Sequence, residues 1–130
     1  MLLIDTNIIS ELSRRQPDPQ VLNWAAGISE FRVSAISVEE IAYGLAWRPN
    51  PRIQDWVSAF FTRHAAIPVS QEIARRAGEL RGRLAAQGNP RSQADMLIAA
   101  TALLHGHTLV TRNTRDFEGC GLPLLNPFSH

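Results

Sequence analysis

Four acidic residues stand at chain positions where chemistry is easiest to assemble: Asp5, Glu40, Asp95 and Asp116. Asp5 closes the apolar run Leu2-Leu3-Ile4, which has no polar alternation and so reads as a strand buried on both faces. The aspartate then sits at the strand's carboxyl end, just where open α/β sheets bind their ligands. A lone buried carboxylate is costly, so this charge needs a use or a neutralising partner. Glu40 and Asp116 also follow strands on their carboxyl side. Asp95 opens a helix so rich in alanine and leucine that it calls for burial. Carboxylates converging on one sheet edge repel one another unless they are protonated or share a cation. An all-oxygen donor set without histidine or cysteine selects hard ions, Mg²⁺ or Mn²⁺. Such a site suits phosphodiester hydrolysis, the ion polarising the phosphate and lowering the pKa of a water that attacks in line.

Each acid also has a plainer role. Asp5 is a good cap for the helix that follows it. Ser37-Val38-Glu39-Glu40 reads as a capping box, and Ser92-Gln93-Ala94-Asp95 as another. Asp116 fits a turn that bonds its own backbone. Arg14, Arg15 and Arg112 are candidates for holding RNA phosphates, or simply a solvated face. His105-Gly106-His107 lacks further soft ligands and does not argue for zinc. No Ser or Cys stands in a known local signature with histidine and acid, and no glycine-rich phosphate loop is present.

The elements that must position these acids follow from periodicity. Strands are predicted at Leu2 to Ile4, Phe31 to Ile36, Ala66 to Val69, Thr108 to Thr111 and Leu122 to Leu125. Pro68 makes the third of these an edge strand or a strand start. Helices are predicted from about Asn7 to Ser13, after the Asp18-Pro19 start, from Ser37 to Trp47, from Arg52 to His64, from Ser70 to Gln87 and from Ala94 to His105. Asn113 to Phe117 reads as a turn with one helical turn at most. The aromatic helix carries Ile53, Trp56, Val57, Phe60 and Phe61 at helical spacing, an apolar stripe for the core or for a subunit contact. Strands alternating with helices predict an α/β fold, a mostly parallel sheet flanked by helices, in one domain spanning residues 1–130.

Composition bounds the setting. All 13 basic residues are arginine, and the net charge of +1 excludes neither nucleic acid nor small anions. One cysteine, Cys120, cannot form an intrachain disulfide and points to a reducing compartment. No signal peptide or membrane span is visible, so a cytoplasmic, soluble protein is expected.

In this light four segments and a tail are familiar together. They are Leu3-Ile4-Asp5-Thr6-Asn7-Ile8-Ile9-Ser10-Glu11-Leu12, Ser34 through Gly44, Ala94-Asp95-Met96 through Ala102, Leu109 through Phe117, and Leu125-Asn126-Pro127-Phe128. In this order the chain resembles the PIN-domain ribonucleases, specifically VapC-type toxins of bacterial toxin–antitoxin pairs. The resemblance implies Mg²⁺-dependent RNA cleavage, with Asp5 and Asp95 as chief metal ligands and Glu40 assisting. It implies that Asn7 and Thr111 orient the acids by hydrogen bonds. Some relatives carry an aspartate where Asn113 stands; Asp116, three residues on, is the other candidate for the fourth acid. It further implies a homodimer held inactive by a small VapB-type antitoxin. The helix from Arg52 to His64 is the candidate for part of the antitoxin groove, with Trp56 and Phe60 as contacts. Two rivals are a phospho-acceptor or haloacid-dehalogenase-like enzyme, disfavoured by the absence of lysine, and a catalytically silent PIN-like binding module.

Overall fold

The computed structural model describes residues 1–128. In chain order the elements are β1 (Leu2–Ile4), α1 (Thr6–Leu12), α2 (Pro19–Ala26), β2 (Val33–Ser34), α3 (Ala35–Trp47), α4 (Pro51–Arg63), β3 (Ala66–Ile67), α5 (Gln71–Ala86), α6 (Gln93–His105), β4 (Thr108–Val110), a 3-10 turn (Thr114–Phe117) and β5 (Leu124–Leu125). β1, β4 and β5 form one parallel sheet in the order β1-β4-β5, and β2 pairs with β3, also parallel. A bridge between Leu3 and Arg32 joins the two pieces, with Ile4 N donating to Arg32 O at 3.0 Å and Arg32 N to Leu2 O at 2.8 Å. The spatial order is therefore β3-β2-β1-β4-β5, which puts β1 at the centre and β3 at an edge.

The unbroken apolar run of β1 is explained by that central place. Successive side chains of a strand point to opposite faces, so Leu3 and Leu109 join one core while Ile4 and Val110 join the other. The first core is filled by α5 and α6 through Ile73, Ala77, Leu80, Leu84, Met96 and Ala99. The second is filled by Ile8 and Ile9 of α1, Phe31, Val33 and Phe60 of α4. Leu3, Ile4, Leu109 and Val110 are wholly buried, each worth about 1.5–3 kcal/mol relative to exposure. Two cores on two faces make the sandwich that alternating strands and helices predict.

Helix starts follow their caps. Asp18 accepts from the amides of Gln20 and Val21 with Pro19 in the first turn, Asn50 from Ile53 N, and Ser70 from Ile73 N. α6 ends at Gly106, whose φ of 66° is the left-handed cap that glycine adopts freely.

Two expectations need correction. The second strand is two residues long, not six, and α3 begins at Ala35 rather than Ser37. The cap is Ser34, whose backbone is extended (φ −90°, ψ 148°) and whose hydroxyl accepts from Ile36 N at 3.0 Å. The Ser37–Glu40 capping box therefore does not form, and Glu40 moves into the second turn. The aromatic stripe of α4 also faces inward at the residues singled out for a partner. Phe60 is buried against His64 at 4.6 Å and Trp56 stacks on Phe60 at 5.0 Å. The side of α4 open to a groove is instead Ile53, Val57 and Phe61, opposite Ile41 and Leu45 of α3.

Candidate active site

The parallel sheet sends its carboxyl ends to one edge, and the acids meet there. Asp5 leaves β1 with its amide bonded to Val110 O at 2.9 Å, then caps α1 through Oδ1, which accepts from Thr6 N at 2.7 Å. The capping role is thus real, but it uses one oxygen only. Oδ2 accepts from Thr111 Oγ1 at 2.9 Å and from Asn7 Nδ2 at 3.2 Å. Thr111 follows β4, the strand beside β1, so neighbouring strand ends hold one carboxylate from two sides. Asn7 Oδ1 in turn accepts from Arg112 N at 3.2 Å. Asn7 and Thr111, expected from the resemblance to orient the acids, both donate to Asp5.

Glu40 arrives from α3. Its Oε1 accepts from Thr6 Oγ1 at 2.7 Å, and that hydroxyl lies 2.8 Å from Ser37 Oγ. Ser37, freed from capping, is wholly buried and turned toward α1. Asp95 lies in the first turn of α6, its amide capped by Ser92 Oγ at 3.0 Å. Half of the second proposed capping box therefore forms, and the helix dipole favours a negative charge at this end. Asn113 and Asp116 come from the loop after β4; Asn113 N donates to Thr111 Oγ1 at 3.0 Å and Asp116 N to Asn113 O at 3.0 Å.

All four acids line one cleft of about 510 Å³, together with Thr6, Asn7, Ser10, Glu11, Arg14 and Asn113. Both candidates for the fourth position thus reach the rim, and of the two only Asp116 brings charge. Burial pushes the Asp5 carboxyl up to about 6, against the hydrogen bonds from Thr111 and Thr6, and the charges of Asp95 and Glu40 raise it further. Burial also raises Asp95, opposed by its hydrogen bond with Ser92, while Asp116 and Glu40 push it the same way as burial. The cleft is short of positive charge, which is the electrostatic signature of a cation site.

Among the described residues no three His, Cys, Asp or Glu side chains gather into a ready-made ligand cluster. Mg²⁺ does not require one. It keeps several waters and is held by one or two carboxylates plus substrate phosphate oxygens, so the Asp5–Asp95 cleft with Glu40 and Asp116 on its rim fits it.

Glu11 is the residue that sequence reasoning passed over as a part of the site. It is buried, lines the cleft, and accepts from Asp18 N at 2.8 Å and from Arg14 Nη1 at 3.1 Å. The signal was its place four residues after Asn7, on the same face of α1. Of the candidate phosphate-binding arginines, Arg14 lines the cleft while paired to Glu11. Arg15 flanks a neighbouring hollow with Arg52. Arg112 lays its guanidinium over the Phe128 ring at 4.5 Å.

Comparison with known proteins identifies the family and the fold. The family model described as PIN domain matches residues 2–119. The chain is 35% identical to the VapC ribonuclease Y4jK of Sinorhizobium fredii, over 98% of each chain. Its fold superposes on a chain of FitAcB from Neisseria gonorrhoeae with a TM-score of 0.89 and 29% identity, covering 100% of both. It also superposes on a chain of a toxin–antitoxin complex from Klebsiella pneumoniae with a TM-score of 0.77 and 30% identity, again over 100% of both.

Proposed function

The chain belongs to the PIN domain family, and we propose that it is a metal-dependent endoribonuclease, the toxin of a VapBC-type pair neutralised by a small antitoxin. The observation that carries this reading is that Asp5 and Asp95, distant in sequence, line one cleft, where the charge of Asp95 adds to burial in raising the Asp5 carboxyl. The relatives named ribonuclease and the toxin–antitoxin complexes of like fold support the activity and the partner.

Asp5 and Asp95 would hold Mg²⁺ or Mn²⁺, with Glu40 and Asp116 at the rim. When bound, the ion supplies Lewis acidity toward the scissile phosphate and the attacking water. The chain's own part is positioning. Thr111 and Asn7 fix the plane of the Asp5 carboxylate, and Thr6, steadied by Ser37, fixes Glu40. Neither Thr6 nor Thr111 brings a charge of its own, so the negative potential that draws a cation is preserved. Glu40, held from one oxygen, keeps the other for a water proton or the ion. The homodimer and the cytoplasmic setting are part of the same reading, and no helix among the described residues is long and apolar enough to cross a membrane.

The test is incubation of wild type and Asp5→Asn with total RNA, in Mg²⁺ and in EDTA. Cleavage by wild type in Mg²⁺ alone is expected. Equal cleavage by both proteins would remove the assignment, and binding without cleavage by wild type would favour a silent module.

A further inference from the structure

Away from the acids, α3 carries an unusual shelf. Tyr43 and Trp47 are 64% and 67% exposed, the largest exposures of any aromatic ring among the described core and surface hydrophobics. Their rings lie 6.3 Å apart, and the Arg48 guanidinium covers the Trp47 ring at 4.8 Å. Neither ring is used by either core. The shelf is on the same helix as Glu40, and Trp47 follows it by seven residues, two helical turns or about 10 Å along the axis.

A hollow of about 400 Å³ leads from the acidic cleft to Arg48 at the edge of the shelf, its walls carrying Arg14 and Arg48 above an apolar floor of Ile41, Leu45 and Ile53. It shares Thr6, Ser10, Arg14 and Glu40 with the acidic cleft and runs past Gly44 to Arg48. At Gly44 an added Cβ would meet nothing within 4 Å, so the floor of the hollow is open there. A second hollow beside it is flanked by Arg14, Arg15 and Arg52, and Arg52 is fixed in place by donating to Ser13 O at 2.9 Å. Glu40 is the one carboxylate lining either hollow.

We propose that the Tyr43–Trp47–Arg48 shelf is a stacking subsite for an unpaired base of the RNA substrate, a few nucleotides from the scissile phosphate. Arg14, Arg48 and Arg52 would follow the backbone between them. The inference rests on the nuclease reading and adds to it where the strand runs and that it is single-stranded. Aromatic faces and guanidinium planes are what splayed-out bases stack on, and a basic groove is what tracks their phosphates. The charge argues against a second copy of this chain as the occupant. Burying Arg48 and its neighbours against the same arginines would leave cations unpaired.

The experiment uses a fluorescein-labelled unpaired oligoribonucleotide and reads anisotropy in EDTA, where binding is scored without cleavage. Trp47→Ala should weaken binding about ten-fold, within the range for loss of one stacked base, and Trp47→Phe should retain most of the affinity. Arg48→Ala should weaken it and flatten its salt dependence. Wild-type affinity in Trp47→Ala overturns the proposal, as does failure of the wild type to bind. A changed sedimentation behaviour of Trp47→Ala with unchanged RNA affinity overturns it in favour of a contact between copies. Absence of cleavage by the wild type in Mg²⁺, together with tight wild-type binding that Trp47→Ala weakens, would count against the nuclease reading and still support the stacking subsite.

Discussion

Thr111 donates its hydroxyl to Asp5 Oδ2 at 2.9 Å across 106 positions of chain, in a wholly buried setting. Thr111 Oγ1 itself accepts from Asn7 Nδ2 at 3.3 Å and from Asn113 N at 3.0 Å. One donor and two lone pairs are all in use, so this hydroxyl is the knot of the site. Thr111→Val keeps the shape and strands three partners. It should cost about 2 kcal/mol in denaturant unfolding and lower RNA cleavage about 10- to 100-fold. Thr111→Ser should recover most of both. Wild-type behaviour of the valine variant would show that the knot is idle.

Thr6 tests positioning without burial of a charge. Its hydroxyl is 2.7 Å from Glu40 Oε1 and 2.8 Å from Ser37 Oγ. In Thr6→Val the amide bond to Asp5 survives, because it is made by backbone. Cleavage is expected to fall about 10-fold or more while the unfolding midpoint moves little. A matching loss in Thr6→Val and Glu40→Gln, with no further loss in the double variant, would place both in one unit.

How far the chain was legible can be argued from these same residues. β1 and its aspartate were plain because a strand buried on both faces must read Leu-Leu-Ile without alternation. Asp95 was plain because Ser92 announces the helix start and an alanine-rich helix has nowhere to go but inside. The start of α3 was not. Ser34 and Ser37 both make sound caps by local chemistry, and the choice was made by Ser34 being extended after a two-residue strand, a tertiary matter. For Trp56 and Phe60 the stripe left core and subunit contact open, and both pack into the second core. A helical stripe says which residues lie together, not which of two sides is covered. Glu11 was missed because its partner, the Asp18 amide, belongs to a loop whose path no local pattern sets.

Glu11 carries a prediction of its own. A buried carboxylate that accepts from a backbone amide and a guanidinium ties the loop between α1 and α2 to the cleft wall. Arg14 is well exposed, so the ion pair itself adds little; the amide bond is the stronger part. Glu11→Ala should destabilise by about 2 kcal/mol and speed amide exchange at Asp18. Glu11→Gln, which keeps an acceptor at the same place, should lose less than half of that. If the two variants were equally unstable, the charge rather than the hydrogen bond would be responsible.

The acids should also write a pH signature on stability. Asp5 rises from an ordinary 3.8 to about 6 in the fold, chiefly by burial. Between those values the native state holds a proton that the unfolded chain has released. Stability from this group is therefore full below pH 3.8 and lost as pH rises through 6, a difference of about 3 kcal/mol at most. Asp95 is shifted the same way. His64 and His107 oppose this, since burial lowers both, and stability is lost on their account as pH falls below 6.5. The whole protein thus shows a mixture, and the comparison that isolates Asp5 is wild type against Asp5→Asn without divalent ions. The variant should be about equal to wild type at pH 4 and more stable at pH 7.5. Mg²⁺ should then raise the melting temperature of wild type at pH 7.5 and leave Asp5→Asn nearly unmoved. A variant no more stable than wild type at pH 7.5 would mean that its three donors, not burial, govern this carboxylate. The cleft would then hold no stored repulsion for a cation to relieve.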